Sequence, residues 1–482
     1  MDDTRLQGIL SRFNPWWQGD PVQPSLYSDE HHRRDFQRLV DRVSKRNVVT
    51  LVGPRQVGKS TMVGQLIDHL ITEQDVPPKH VMFLTTEAGT VSSDYETIVR
   101  DTLEVYEERI LGKSFSEVDS DIYIAFDEIQ KAHNWADTVK LYSDRYDSLT
   151  FVLTGSVSTL ISKQTSETLV GRAKEQVMVP MKFIDYVRYK QVLDASEVDE
   201  KSRNLRQSLK TGLKSGDKPA VVLALSQAWT RLDSKRPELR DALDTYLLRG
   251  GYPGYFEMED TEALRELDED LYRVVTGDLP SVYDIEKEDK LMKILQYFAD
   301  GTGSKLSINN LSEEIGLGRG TVDRYITYLE DFYLVYRCPH YSEKAAGSTK
   351  QQMAYLNDVG HLNALTGTTA QQLQNAPTRG PVLETAVCDH LRRLQFNLSE
   401  FKNSAVQYSE VTGEIDFVLQ GHDYTLPVEV KHGDPRDANL TALKRFIEQQ
   451  ELPMGLVVNN SNIFGEDGRV IYLPAWLFFY LC

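Results

Sequence analysis

Apolar runs punctuate the first third of the chain at 47–52 (NVVTLV), 80–84 (HVMFL), 122–126 (IYIAF) and 149–156 (LTFVLTGS). Between them apolar residues return at helical spacing, as in Met62, Leu66, Ile67 and Leu70. Apolar strands alternating with amphipathic helices predict a parallel sheet covered on both faces. From about 183 to 280 apolar residues recur at i, i+3 and i+4, which predicts helices, and the polar stretch 193–219 reads as a solvated helical insertion. Residues 289–341 change rhythm. A helix ends near Asp300, a second runs through Leu311 to Ile315, and Gly316 to Gly320 form a turn. Thr321 caps or enters a third helix ending near Asp331, and YLVYRCPHY would be the wing of a winged helix. Further on, EIDFVLQGHDYTLPVEVKHG (414–433) reads as two strands around a turn. The final RVIYLPAWLFFYL reads as a buried closing strand and helix, too short to span a bilayer and interrupted by proline.

Bulk composition changes this picture little. A chain of 482 residues suggests two to four domains, and 40% hydrophobic with 26% charged residues is ordinary globular content. No apolar run approaches the roughly 20 residues that cross a membrane, and MDDTRLQGIL lacks a signal-peptide layout, so a cytoplasmic protein with no membrane partner is expected. Cys338, Cys388 and Cys482 form no CxxC pair, which favours reduced buried thiols over disulfides or zinc. The net charge of −18 argues against general affinity for nucleic acid but leaves room for a local basic groove.

The clearest chemical signal follows the first strand. Gly53, Pro54, Arg55, Gln56, Val57, Gly58, Lys59, Ser60 and Thr61 spell GPRQVGKST, the Gly-x4-Gly-Lys-Ser pattern of a P-loop between a strand and a helix. Glycines let backbone N–H groups curl around phosphates, and the helix N-terminus adds a positive end. Lys59 is expected to reach the β and γ phosphates of ATP, with Ser60 as a ligand of Mg²⁺ and Thr61 supporting the loop or the α-phosphate. The strand 122–126 ends in Asp127 and Glu128. Asp127 is the expected second Mg²⁺ partner, through water, and Glu128 the residue that polarises the attacking water. A lone nucleotide-storage site needs only the first carboxylate, so the pair favours hydrolysis. Ser156 or Thr154, closing the strand 149–156, could sense the γ-phosphate, and Ser156 could equally be a helix N-cap.

The order of these motifs resembles archaeal and bacterial P-loop ATPases of the AAA-like class with an additional-strand core and a C-terminal domain of the DUF4143 kind. The resemblance runs almost the full length. It rests on RFNPWWQGDP (12–21), GPRQVGKST, FDEIQKAHNW, the segment LTGSVSTLISKQTSETLVGRAKEQVMVPMKFIDY, YLLRGGYPGYF (246–256), YLNDVGHLNAL (355–365) and the 414–433 stretch. It implies a doubly wound α/β nucleotide core over 1–182, a helical lid subdomain over 183–285, a winged helix over 286–345, and a restriction-endonuclease-like α/β domain of the PD-(D/E)XK kind over 346–482. It also suggests Arg172, in LVGR, as a phosphate-contacting arginine in cis or from a neighbouring subunit. A surface or fold-stabilising arginine is the other reading. Arg249, before Gly250 and Gly251, is a weaker lid or sensor candidate, and the double glycine could serve a purely structural turn.

Nucleases of that fold carry an acidic residue on one strand, Glu-x-Lys on the next, and a further acid from a preceding helix. The resemblance carries these positions to Asp416, Glu429 and Lys431, and to Glu384 in RGPVLETAVCDHLRRL. There Asp416 and Glu429 would hold Mg²⁺ while Lys431 orients the attacking water. Strand alternation puts Glu429 and Lys431 on one face. A charged hairpin with cross-strand pairing stays open as the plain alternative. In the third helix of the winged region, Arg319, Thr321 and Arg324 could enter DNA, but Asp323, Glu330 and Asp331 lie beside them, so an interdomain packing role stands equally. The expectation is an ATP-hydrolysing, DNA-associated protein, with a homo-oligomer as a candidate assembly. Its rivals are a nucleotide-dependent switch and a DNA-binding regulator whose C-terminal domain binds without cleaving.

Overall fold

The computed structural model describes residues 3–22, 33–45, 48–86, 97–156, 168–169, 171–342, 350–398 and 405–482, so part of the motif segment 153–186 lies outside the described residues. The chain divides into two compact units, Met1–Val179 and Pro180–Cys482.

In the first unit the described strands are β1 (Val48–Val52), β2 (Val81–Thr85), β3 (Ile122–Asp127), β4 (Leu149–Gly155) and β5 (Ala173–Val177), in the order β2-β3-β4-β1-β5. All of their pairings are parallel. Period-two alternation divides the strands between two hydrophobic clusters. Val48, Val52, Ile124, Phe126 and Leu153 join one, while Val49, Leu51, Tyr123, Ala125 and Val152 join the other. Both faces are therefore covered, which is why these strands read as continuous apolar runs. The strand β5 escaped the pattern because AKEQV is an edge strand with only Gln176 buried.

The opposite edge, β2, is closed by the segment RFNPWWQGDP. Fully buried Asn14 donates from Nδ2 to the Phe83 carbonyl (2.8 Å), and its Oδ1 accepts from the Phe83 N–H (2.6 Å). Trp16 and Trp17 each donate from Nε1 to the Val81 carbonyl at 2.9 Å. Side chains thus take the place of a neighbouring strand and satisfy an edge that would otherwise be open to pairing.

The second unit begins with the helices Phe183–Tyr189, Ala195–Ser215, Lys218–Arg231, Arg236–Arg249 and Asp260–Arg273. Expected as a lid on the nucleotide core, they belong instead to the unit that contains the C-terminus. Their apolar faces explain the allegiance. Leu205, Leu209 and Leu213 are buried, so the 193–219 stretch is amphipathic rather than merely solvated. Arg206 donates to the Leu481 carbonyl (3.3 Å), and Trp229 stacks between Phe464 and Trp476 at ring distances of 5.5 and 5.6 Å. The aromatic tail is the partner of Ala195–Ser215 and Lys218–Arg231, whereas Arg236–Arg249 and Asp260–Arg273 pack on the helix Val359–Thr366, whose Asn363 donates to the Leu247 and Leu248 carbonyls (both 2.8 Å).

Next come the helices Glu288–Asp300, Ile308–Ile315 and Arg319–Asp331, close to their expected limits. Gly316 (φ 68°) ends the second in the left-handed region. They accompany an antiparallel sheet in the order β6-β8-β7, formed by β6 (Ser304–Lys305), β7 (Val335–Cys338) and β8 (Met353–Leu356). A boundary at 345 would cut this module before its last strand.

The remaining sheet runs β13-β14-β12-β11-β10-β9. Its strands are β9 (Ala405–Ser409), β10 (Ile415–Gln420), β11 (Thr425–Lys431), β12 (Gly455–Asn459), β13 (Gly465–Asp467) and β14 (Val470–Pro474). The strands β9, β10 and β11 are antiparallel, whereas β11, β12 and β14 are parallel. Helix Ala376–Leu398 packs on β10 and β11, and helix Thr441–Gln449 shares a hydrophobic cluster with Ile415, Val418 and Val457. Beyond β7 the chain joins this sheet directly, with Tyr341 N–H to the Tyr408 carbonyl (2.7 Å) and Tyr408 N–H to the Pro339 carbonyl (3.0 Å). All three cysteines are buried and unpaired, as expected.

Two histidines are locked into this unit. His390 accepts from the Phe183 N–H (3.1 Å), and burial pushes its pKa down to about 3; burial likewise pushes His361 down to about 4. Folded-state values below the ordinary 6.5 mean that the unfolded chain takes up protons the folded chain refuses. Stability contributed by each is therefore lost as pH falls from about 6.5, by about 2 kcal/mol per histidine between pH 7 and pH 5. Buried Asp358, raised to about 6, changes stability in the opposite sense over this range. His390→Gln should accordingly lose about 2 kcal/mol less than wild type between pH 7 and pH 5 in urea titrations followed by circular dichroism. Equal losses would contradict the assignment.

Candidate nucleotide site and a second acidic cluster

The loop after β1 is shaped by three backbone positions. Gly53 (φ 154°) passes so close to the Met178 carbonyl that a side chain there would collide with it. Gln56 (φ 59°) and Gly58 (φ 94°) turn the chain through the left-handed region into helix Lys59–Thr72. A non-glycine residue held there costs on the order of 1 kcal/mol and needs surrounding structure to hold it. Arg33 supplies some of that structure, donating to the carbonyls of Val57 (2.8 Å) and Val179 (2.7 Å). Nothing in the sequence pattern singled out Arg33, because its partners are carbonyls 24 and 146 residues away.

Lys59 is buried and donates from Nζ to the carbonyls of Gly53 (3.0 Å) and Pro54 (2.8 Å), across the mouth of the loop. The Ser60 hydroxyl lies 3.1 and 3.0 Å from the two carboxylate oxygens of Asp127. A hydroxyl and a carboxylate meeting at that range are the hard oxygen donors that Mg²⁺ takes. On β4, which separates β1 from β3, Thr154 donates to Asp127 and accepts the Glu128 N–H (3.1 Å). Two residues on, Ser156 donates to Glu128 at 2.7 and 2.9 Å, and Gln130 Nε2 adds a third bond at 2.6 Å. Glu128 itself is left-handed (φ 55°), and the Thr86 hydroxyl holds its carbonyl at 2.6 Å.

These surroundings drive the two acids apart. Burial and the neighbouring Glu128 charge raise Asp127, against the hydroxyls of Thr154 and Ser60. Burial also works to raise Glu128, but the Lys59 charge and the bonds from Ser156 and Gln130 outweigh it, and its pKa falls. Glu128 is kept ionised beside the lysine.

Two arginines take other places. Arg172 immediately precedes β5, whose register sets Ala173 against Val48, the first residue of β1. The phosphate loop follows the last, Val52, roughly 13 Å away along the strand. Arg172 pairs there with Asp144 (2.5 Å), so the in-cis phosphate contact is corrected: the strand direction carries it to the far end of the sheet. Arg249 bonds to Asp260 (2.7 Å) and the Phe256 carbonyl (3.1 Å), while the Gly251 N–H donates to Asp358 (2.8 Å). Asp358 also accepts the Gly360 N–H (2.8 Å), so the double glycine and YLNDVGHL form one structural joint.

The second unit gathers the other predicted acids. Asp416 lies where the β9–β10 register shifts, between Ile415 and Val418, and its Oδ2 accepts the Val430 N–H at 2.7 Å. Such irregularities re-aim side chains. Glu429 is buried and bonds Lys431 at 2.5 Å. Glu384 reaches them from helix Ala376–Leu398, accepting the hydroxyl of Tyr355 on β8 (2.6 Å). Burial first, then the charges of Glu429 and Glu384, raise Asp416 well above the carboxylate range. Burial and Glu429 lift Glu384 to about 7. Burial works against the Lys431 charge, but Glu429 and Asp416 raise its pKa overall. Three ionised carboxylates against one lysine would carry excess negative charge, which bound protons offset here and a divalent cation would offset in their place. Their oxygens are engaged by N–H groups, Lys431 and Tyr355, and among the described residues no three Asp, Glu, His or Cys side chains form a metal-ion cage.

Residues 45–187 match a family model described as an AAA domain. Residues 240–372 and 379–478 match two domains of unknown function, DUF8612 and DUF4143. Similar proteins include the uncharacterized protein MJ1637 of Methanocaldococcus jannaschii, 22% identical over 94% of this chain and 90% of its own. Another is an uncharacterized protein of Haemophilus influenzae, 23% identical over 92% of this chain and 97% of its own. Among solved structures, the Walker-type ATPase PABY2304 of Pyrococcus abyssi aligns at 15% identity and a TM-score of 0.42, over 72% of this chain and 99% of that one. The first unit thus carries an AAA-type P-loop domain.

Arg33→Ala should weaken binding of a fluorescent ATP analogue about tenfold, roughly 1.4 kcal/mol, measured by anisotropy. Arg172→Ala should leave that affinity within twofold of wild type. The reverse ranking would overturn the placement of both arginines.

Proposed function

We propose that the first unit hydrolyses ATP and that the second acts on DNA. The observation that carries the first half is the Ser60–Asp127–Thr154–Glu128–Ser156 network across three strand ends. Lys59 is placed to exchange its loop carbonyls for phosphate oxygens, and Ser60 with Asp127 would hold Mg²⁺. Bound there, the ion supplies neutralisation of phosphate charge. A carboxylate offers about four lone-pair sites, and two donors, the Ser156 hydroxyl shared between both oxygens and the Gln130 amide, orient Glu128, so acceptor capacity stays available for the attacking water. Its lowered pKa keeps it a base at neutral pH.

The second half rests on the Glu384, Asp416, Glu429 and Lys431 cluster together with the arrangement of the β6-β8-β7 module. We read that module as a winged helix and the six-stranded sheet as a PD-(D/E)XK-like domain, in which Asp416 and Glu429 would hold Mg²⁺ and Lys431 would orient water. In the third helix of the module, Asp323 and Glu330 are tied to Arg337 (2.6 and 2.9 Å), whereas Arg319 and Arg324 are exposed. This supports nucleic-acid contact over packing, since two of the three acids that weakened the motif share one guanidinium within the module, while Asp331 accepts the Tyr283 hydroxyl (2.7 Å).

Glu128→Gln should retain ATP binding while phosphate release falls by about 10²-fold or more. Lys59→Ala should lose both. With Mg²⁺ or Mn²⁺ and duplex, single-stranded and branched DNA, Asp416→Ala and Lys431→Ala should abolish cleavage seen with wild type. Identical products from all three proteins would remove the nuclease reading and favour a switch or regulator that binds without cutting.

A further inference from the structure

The parallel strands β11, β12 and β14 end side by side, and their C-terminal ends open onto a cavity of about 130 Å³. In open α/β sheets that edge is the usual place for a ligand. The cavity wall is polar and rich in donors. It includes Arg240, Arg379, His432 and Asn460, with Asp244 as its carboxylate. Arg379 is 5% exposed and is fixed by Asn460 Oδ1 (3.0 Å) and by Asp244, so Asp244 neutralises one guanidinium. Arg240 is exposed and makes no hydrogen bond or ion pair among the described residues, which leaves one positive charge uncompensated. His432 has its Nε2 shielded from solvent with no hydrogen-bond partner. Buried polar atoms are nearly always partnered, so an orphan in the wall of a polar cavity signals a missing partner.

The size is informative. A cavity of about 150 Å³ holds a six-atom ring such as benzene, so this one has room for a tetrahedral phosphate but not for a whole nucleotide. Its position is equally so. His432 follows Lys431 directly, and the Asn460 N–H donates to the Lys431 carbonyl at 3.2 Å. Two arginines and side-chain amides suit phosphate oxygens.

We infer that this cavity is a phosphate subsite for a nucleic-acid strand, next to the acidic cluster on β10 and β11. The inference rests on reading that cluster as the site of action on DNA, but the subsite is assayed by binding alone. It holds a strand phosphate, which fixes the register of the strand relative to Lys431. An internal phosphodiester and a 5′-terminal phosphate share this chemistry.

The test is equilibrium binding of the full chain in EDTA to a fluorescent single-stranded oligonucleotide, carrying either a 5′-phosphate or a 5′-hydroxyl. Wild type, Arg240→Glu and Arg240→Lys are compared. Arg240 is exposed and unpartnered, so these variants should fold, and circular dichroism checks it. Arg240→Glu should weaken binding at least fivefold, while Arg240→Lys should lose less. Weakening confined to the 5′-phosphorylated strand identifies a terminal-phosphate site; equal weakening of both strands identifies an internal diester. Unchanged binding of both strands overturns the subsite. Because EDTA removes catalysis, a wild type that never cleaves DNA would leave a positive binding result standing. Conversely, Lys431-dependent cleavage with Arg240-independent binding would remove the subsite alone.

Discussion

One hydroxyl organises the nucleotide half of this protein. Thr154 stands on the strand inserted between the phosphate-loop strand and the strand ending in Asp127 and Glu128. It donates to one acid and accepts the backbone N–H of the next, so the two carboxylates are held in fixed and different surroundings. Without β4, β1 and β3 would be direct neighbours, and neither Thr154 nor Ser156 would stand between the loop and the acids. The loop strain at Gln56, the buried Lys59 and the left-handed Glu128 persist because this network and Arg33 over-determine them.

Both acidic sites work by the same electrostatic logic. Burial penalises every carboxylate, and what differs is the company each one keeps. Glu128 has Lys59 and two polar side chains and stays ionised. Asp416 and Glu384 have each other and Glu429, and their protons are held more tightly. A cation entering the second cluster would invert that balance, because it removes the repulsion that raises both groups.

Within the second unit, side chains link modules that sequence order keeps apart. Tyr355 on β8 reaches Glu384 on the long helix, and the hydroxyls of Thr302 and Thr385 lie 2.9 Å apart. The three-stranded module is therefore bonded to the acid it faces. Any displacement of β8 would be felt at Glu384 through the Tyr355 hydroxyl.

By itself the sequence determined what local rules govern: four apolar strands, the glycine loop, the acid pair at the end of β3, helix limits such as Gly316, and the alternation of Glu429 and Lys431. Each depends on neighbours a few residues away, where backbone geometry and periodicity decide. Tertiary structure alone decided the rest. Polar β5 was invisible because an edge strand needs no apolar run, and Arg33 because a carbonyl partner leaves no trace in residue type. The direction of β5 carried Arg172 away from the glycine loop, and packing on the aromatic closing helix and on Val359–Thr366 assigned the middle helices to the second unit. Long-range burial and strand order set these outcomes, and neither is encoded in any short window of residues.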